Sequence, residues 1–134
     1  MPAKPIRLAV VMFIVLEMTC ATRADDKQKN AKDAYDVFAR RCAACHHDDR
    51  NGNDDYDVLD WKSLTSVKPS EQVLKKYKAA TAYIKSNKPD ESLILLRVAD
   101  KSMPKGKKGP LSAEDQEALI RWVKSGAGQD GFGK

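Results

Sequence analysis

Apolar residues recur at helical spacing in several parts of the chain, separated by polar stretches that carry turn signals. From Ala31, the positions Ala31, Ala34, Tyr35, Phe38 and Cys42 fall three and four residues apart. That spacing predicts one face of a helix, which delivers Cys42 at its C-terminal end. Ser70 caps a second pattern, with Val73, Leu74, Tyr77, Thr81 and Ile84 on one side and Pro89 stopping it. Asp90 or Ser92 then caps a short apolar helix over residues 93–98. The clearest pattern is the last. Ser112-Ala113-Glu114-Asp115 reads as a capping box, Leu119, Ile120, Trp122 and Val123 form an apolar face, and Gly126 fits the stop just past the helix.

The segments between these helices read as loops. Residues 48–60 hold six Asp against Arg50, with Gly52 and two Asn. Residues 101–111 hold Pro104, Pro110, Gly106 and Gly109, which excludes a helix or strand interior. No strand alternation, internal repeat or second domain is visible. The expectation is a small all-α domain of three to five helices with long loops.

The front of the chain has a different character. Lys4 and Arg7 form a positive start, residues 6–16 are almost entirely apolar, and Thr22-Arg23-Ala24 ends in a small residue before Asp25. That order is a secretory signal, cleaved after Ala24. The run falls short of the roughly 20 residues a membrane-spanning helix needs. Cys20 invites a lipid anchor, but Glu17 and Met18 stand where such processing wants small or branched residues. The organisation expected is therefore a signal over 1–24, a flexible start over 25–30, a domain over 31–127 and a flexible tail over 128–134.

Removing residues 1–24 takes away Lys4, Arg7, Arg23 and Glu17, so the net charge falls from +5 to +3. That is too mild a charge to argue for nucleic acid. Cleavage also removes Cys20, Met1, Met12 and Met18. Cys42, Cys45, His46, His47 and Met103 are then the whole soft-ligand inventory.

Cys42-Ala43-Ala44-Cys45-His46 has the spacing of covalent haem attachment. Two thiols one turn apart can add to the two vinyl groups on one porphyrin edge, and the next residue brings an imidazole under the iron. A redox dithiol or disulfide would want a βαβ neighbourhood, and none is visible. Structural zinc needs four ligands, and adjacent histidines make an awkward pair. Met103 follows by elimination as the second iron ligand, since Met/His ligation is common in haem electron carriers. The alternative is an open sixth position, which would suit a haem enzyme or a sensor of peroxide or gas. Phe38 and Trp122 are expected to pack beside the ring and in the core behind it. The Trp61 N–H is either within reach of a haem carboxylate or simply part-buried. No catalytic constellation or substrate is identifiable.

These residues resemble a known family. CAACH, Pro89-Asp90-Glu91-Ser92-Leu93, Met103-Pro104, and Leu111-Ser112 leading to Trp122-Val123-Lys124-Ser125-Gly126-Ala127 look like the planctomycete-type cytochrome c domain within the class I cytochrome c fold. The resemblance covers about residues 31–127. It implies a few helices around one covalent haem c with its iron, first and last helices in contact, periplasmic maturation and electron transfer. It would give Cys42 and Cys45 the thioethers and make His46 and Met103 the iron ligands. His47, the acidic loop and the lysine-rich stretch 62–86 depart from that pattern.

Lys101, Lys105, Lys107 and Lys108 flank Met103 with no acid among them. They would steer an acidic redox partner protein to the haem, or simply keep the loop solvated. Asp49, Asn51, Asn53, Asp55, Asp57 and Asp60 fall at alternating positions like a calcium loop, but Asp54 replaces the needed Gly and the closing Glu is absent. A solvated loop is the expectation there.

Overall fold

The computed structural model describes residues 7–47 and 56–133, with side chains from residue 22 onward except Lys107. Residues 1–6 of the expected signal and most of the acidic loop, with its calcium-like spacing, lie outside the described residues. Six α-helices are present among the described residues, in place of the three to five expected: α1 (Arg7–Arg41), α2 (Ala43–His46), α3 (Trp61–Ser66), α4 (Glu71–Lys76), α5 (Leu93–Ala99) and α6 (Ala113–Lys124). Single 3-10 turns occupy Pro89–Glu91 and Gly106–Lys108. The fold is all-α. No helix among the described residues is long and apolar enough to cross a membrane.

The 31, 34, 38 spacing forms the buried face of α1, joined by Val37. Its exposed face carries Lys29–Asp33 and Lys32–Asp36 pairs one turn apart. The buried face of α1 meets Ala118, Leu119, Trp122 and Val123 of α6, and the two helices pack directly on one another. At the centre Phe38 meets Trp122 edge-to-face, with centroids 6.0 Å apart and planes at 80°.

Helix α6 is built as its sequence predicts at both ends. Ser112 accepts a hydrogen bond from the Asp115 N–H at 3.1 Å. The Asp115 carboxylate reaches outward to the Arg40 guanidinium at 3.1 Å. At the other end the Ala127 N–H bonds the Trp122 carbonyl at 2.9 Å and the Gly126 N–H bonds the Val123 carbonyl at 3.1 Å. That paired closure needs a positive φ, which Gly126 adopts at 108°.

The second predicted helix is shorter than its pattern. It stops at Lys76, and Thr81 and Ile84 lie outside it. The cause is competition for backbone. Thr81 N–H bonds the Glu91 carbonyl, the Ala82 and Tyr83 carbonyls accept from Leu93 and Ile94, and Ile84 N–H bonds the Leu64 carbonyl. These long-range partners replace the helical ones while still burying Tyr83 and Ile84. Ser92 precedes α5 but its side chain does not cap it. Buried completely, its hydroxyl accepts from Lys85 N–H at 2.8 Å and donates to the Lys88 carbonyl at 2.9 Å. Helix α3 was not predicted. Asp60, assigned to the acidic loop, caps it by accepting from Lys62 and Ser63 N–H groups.

Both ends of the expected domain are more ordered than anticipated. Residues 25–30 continue α1 as exposed helix. The expected loose tail instead sends Phe132 into the core, where it stacks on Trp122 at 5.0 Å and meets Tyr35 edge-on at 5.2 Å. Gly131 lies against α1 at φ 90°, where a Cβ would overlap the Gln28 carbonyl oxygen.

Phe132→Ala is expected to destabilise the protein by about 3–5 kcal/mol, the usual cost of emptying an aromatic core site. Gly131→Ala should also lower stability, because neither the φ nor the space suits a side chain. Denaturant unfolding checks both. A change in Phe132→Ala of only a few tenths of a kcal/mol would mean the tail is not part of the core.

Candidate functional site

The haem-type motif forms one tight turn. Cys42 N–H still bonds the Phe38 carbonyl of α1 at 2.9 Å, and Cys45 and His46 N–H groups both bond the Cys42 carbonyl at 3.1 Å. This winds the two sulfurs and the imidazole onto one wall of a cavity of about 280 Å³. Phe38, Val58, Ile94, Val98 and Leu111 make its apolar lining, and Met103 and Pro104 enter it from the Lys/Gly/Pro loop. All four predicted site residues, Cys42, Cys45, His46 and Met103, therefore line a single cavity. Trp122 stands one layer behind, buried against Phe38. Trp61 does not line the cavity; its N–H donates to the Ala127 carbonyl at 2.7 Å, so partial burial is its role.

The loop carrying Met103 is tied down on both sides. Before it, Met103 N–H bonds the Arg97 carbonyl at 3.0 Å. The Asp100 carboxylate accepts from Ser102 N–H at 2.9 Å and from the Tyr77 hydroxyl at 2.8 Å. Ser102, through its side chain and backbone, and then Tyr77 hold Asp100 below the usual carboxylate range. After it, Arg41 Nη2 donates to the carbonyls of Lys108, Gly109 and Pro110 at 2.9, 3.3 and 3.0 Å. Lys108 Nζ returns a bond to the Arg40 carbonyl at 2.9 Å. There a cation meets the negative end of the α1 dipole. One end of the loop is thus strapped to the residue before Cys42.

Burial pushes the Cys42 thiol up to about 11, with Lys108 and Arg41 opposing the shift only in part. A sulfur in such a place is held neutral. A redox dithiol works through a lowered pKa, so the raised one at Cys42 disfavours that use. Cys42 and Cys45 are not joined in a disulfide, and no group of three or more His, Cys, Asp or Glu among the described residues is placed to hold a metal ion. A thioether has no proton to lose, so this environment suits it.

Two further side chains line the cavity that sequence reasoning did not select. Arg41 and Arg97 each bury a guanidinium Nε–H that has no hydrogen-bond partner. Leaving such a donor unmet costs about 1–3 kcal/mol, more for a charged group, so each marks a place for an acceptor. Arg97 had a legible signal, as the one charge within the apolar Leu93–Ala99 segment. Tyr56 also lines the cavity, and nothing in the acidic loop around it pointed there.

A family model, Cytochrome c, matches residues 31–127, spanning the cavity and every element that lines it. The chain belongs to the cytochrome c family. No curated protein and no solved structure matches the chain significantly. A cytochrome c domain carries covalently bound haem c with its iron, and the site in this cytochrome fits that group. The wall offers two cysteine sulfurs and an imidazole on one turn and a thioether on a pinned loop. The unmet Nε–H groups suit the carboxylates such a ring carries.

Removing the strap should loosen the Met103 loop without emptying the core. Arg41→Gln is expected to cost about 1.5–3 kcal/mol, the range for charge-assisted hydrogen bonds. It should also speed hydrogen exchange at the Gly109 amide, which bonds the Gly106 carbonyl at 3.2 Å. Exchange unchanged at Gly109 would show that the loop holds itself.

Proposed function

We propose that this cytochrome is an exported, single-electron carrier whose haem is attached through Cys42 and Cys45 and whose iron lies between His46 and Met103. The observation that carries the proposal is the convergence of these four residues on one apolar cavity. The planctomycete-type assignment within the family rests on Pro89-Asp90-Glu91-Ser92-Leu93, Met103-Pro104 and the Trp122–Ala127 segment. The basic, apolar and small-residue order of residues 1–24 supports a cleaved signal and a periplasmic location.

Haem c supplies an iron that gains or loses one electron without bond making in a substrate. The protein's part is to hold the ligands, exclude water and tune the potential. Met103 and His46 would hold the iron, and a thioether paired with an imidazole would favour the ferrous state and raise the potential. Phe38, Val58, Ile94, Val98 and Leu111 keep the site dry, which strengthens every charge effect inside it. The strap from Arg41 and the Asp100–Ser102–Tyr77 bonds hold the Met103 loop in place as charge changes, so little rearrangement accompanies transfer. The role is electron transfer rather than enzymatic catalysis.

Cys45 and Ala44 are exposed at the mouth of the cavity, which offers a short route for electrons. Lys105 lines the cavity and is exposed, Lys101 is exposed two residues before Met103, and both would attract an acidic redox partner. Lys108 contributes charge at a fixed place, since it is tethered to the Arg40 carbonyl.

Expression with haem-maturation machinery should yield a protein of residues 25–134 plus the mass of one haem. Met103→Ala should abolish the low-spin ferric Met-ligation band and lower the midpoint potential. A purified protein without added haem mass would refute the attachment. An unchanged spectrum in Met103→Ala would remove Met103 from the iron.

A further inference from the structure

His47 follows the haem turn, and the sequence gives it no task. In the structure its Nδ1 lies 2.9 and 3.0 Å from the two oxygens of Asp57. Asp57 is fixed in turn. Its carboxylate accepts from Leu59 N–H at 2.8 Å, and its own N–H donates to the Ser63 hydroxyl at 2.8 Å. The next residue, Val58, donates its N–H to the His46 carbonyl at 2.9 Å. Residues 57 and 58 are thereby bolted to the haem turn by a side chain and by backbone.

Tyr56 is the residue this anchor holds. Its ring stacks on the His46 imidazole, with centroids 5.5 Å apart and planes at 19°. Its other neighbour is Tyr83, stacked 3.8 Å away at 29°. Tyr83 is 7% exposed, and its backbone carbonyl accepts from Ile94 N–H of α5. The imidazole thus leans on an aromatic ring that rests on a buried wall.

We propose that Tyr56 is a positioning residue that sets the rotation of the His46 imidazole about its bond to iron, with His47 and Asp57 holding Tyr56 in register. This rests on the reading of His46 as an iron ligand. A single metal–nitrogen bond leaves the imidazole plane free to rotate over the ring. Flat contact with a neighbouring aromatic removes that freedom, because rotation would tip the imidazole out of the stack. The plane of an axial imidazole selects which iron orbital it overlaps. It therefore governs how unpaired spin spreads over the porphyrin in the ferric state. Outer contacts of this kind orient metal-bound histidines generally. The anchor also gives His47 a reason to be histidine, since a small residue there could not reach Asp57.

The direct test uses the matured wild-type protein in its ferrous, diamagnetic state. Proton NMR should show the His46 ring shifted strongly by the haem ring current, with cross-peaks to the Tyr56 ring. A His46 ring that is not so shifted defeats the ligand reading itself. A shifted His46 with no Tyr56 contact overturns this proposal alone.

Variants then give a readout that a merely structural role would not move. Ferric Tyr56→Leu should rearrange the pattern of paramagnetically shifted haem methyl signals while keeping the Met-ligated spectrum. Tyr56→Phe, which keeps the stack, should restore the wild-type pattern. Asp57→Asn should shift it in the same direction by less. A wild-type methyl pattern in Tyr56→Leu overturns the proposal, as does a change in Tyr56→Phe as large as that in Tyr56→Leu.

Discussion

The contact between α1 and α6 is the constraint on which the rest of this cytochrome depends. Phe38, Trp122 and Phe132 interlock at its centre, and the C-terminal end of α1 is thereby held still. The haem turn begins one residue past that end. Phe38 is both a core residue and part of the cavity lining, so packing and site share a side chain. A loose helix pair would leave two sulfurs and an imidazole without a fixed direction. The tail adds to the same contact, since Phe132 rests on Tyr35 of α1 and Trp122 of α6 at once.

From this fixed point the site is assembled by polar ties rather than by further helices. The Met103 loop has little regular structure beyond a single 3-10 turn, and its position comes from bonds at its two ends. Arg41 gathers three carbonyls that no helix or strand satisfies, and Lys108 answers with one bond to the end of α1. On the other wall, His47 and Asp57 bring Tyr56 against His46 in the same manner. Each tie joins the residue before or after the CAACH turn to a distant loop, so the turn organises both faces of the cavity.

Electrostatics follows from that assembly. Cys42 is buried deeply enough that its thiol resists ionisation, even with Arg41 and Lys108 nearby. The same arginine and Arg97 keep a guanidinium Nε–H unmet inside the cavity. A site that holds the Cys42 thiol neutral and leaves cations wanting acceptors is matched to a thioether at that position and an anionic ring edge. It is poorly matched to thiolate chemistry.

Much of this was legible in the chain before any coordinates. Period-three-and-four spacing gave α1 and α6, because each buries one continuous face and its local signals agree with its packing. That the CAACH turn and Met103 belong to one cavity could be expected because thiol, imidazole and thioether side chains are few in the chain. Other features depended on the folded molecule. The Ser70 pattern is helical to the eye, yet residues 81–84 find better backbone partners in Glu91, Leu93, Ile94 and Leu64. Ser92, Arg41, His47 and Tyr56 acquired their roles from partners distant in sequence or in different elements, and no periodicity marks such pairs. Local sequence determines where a helix is possible and which atoms can bind a metal or a porphyrin edge. Which polar groups meet across the cavity is decided only when the closed fold leaves buried donors and acceptors to be satisfied.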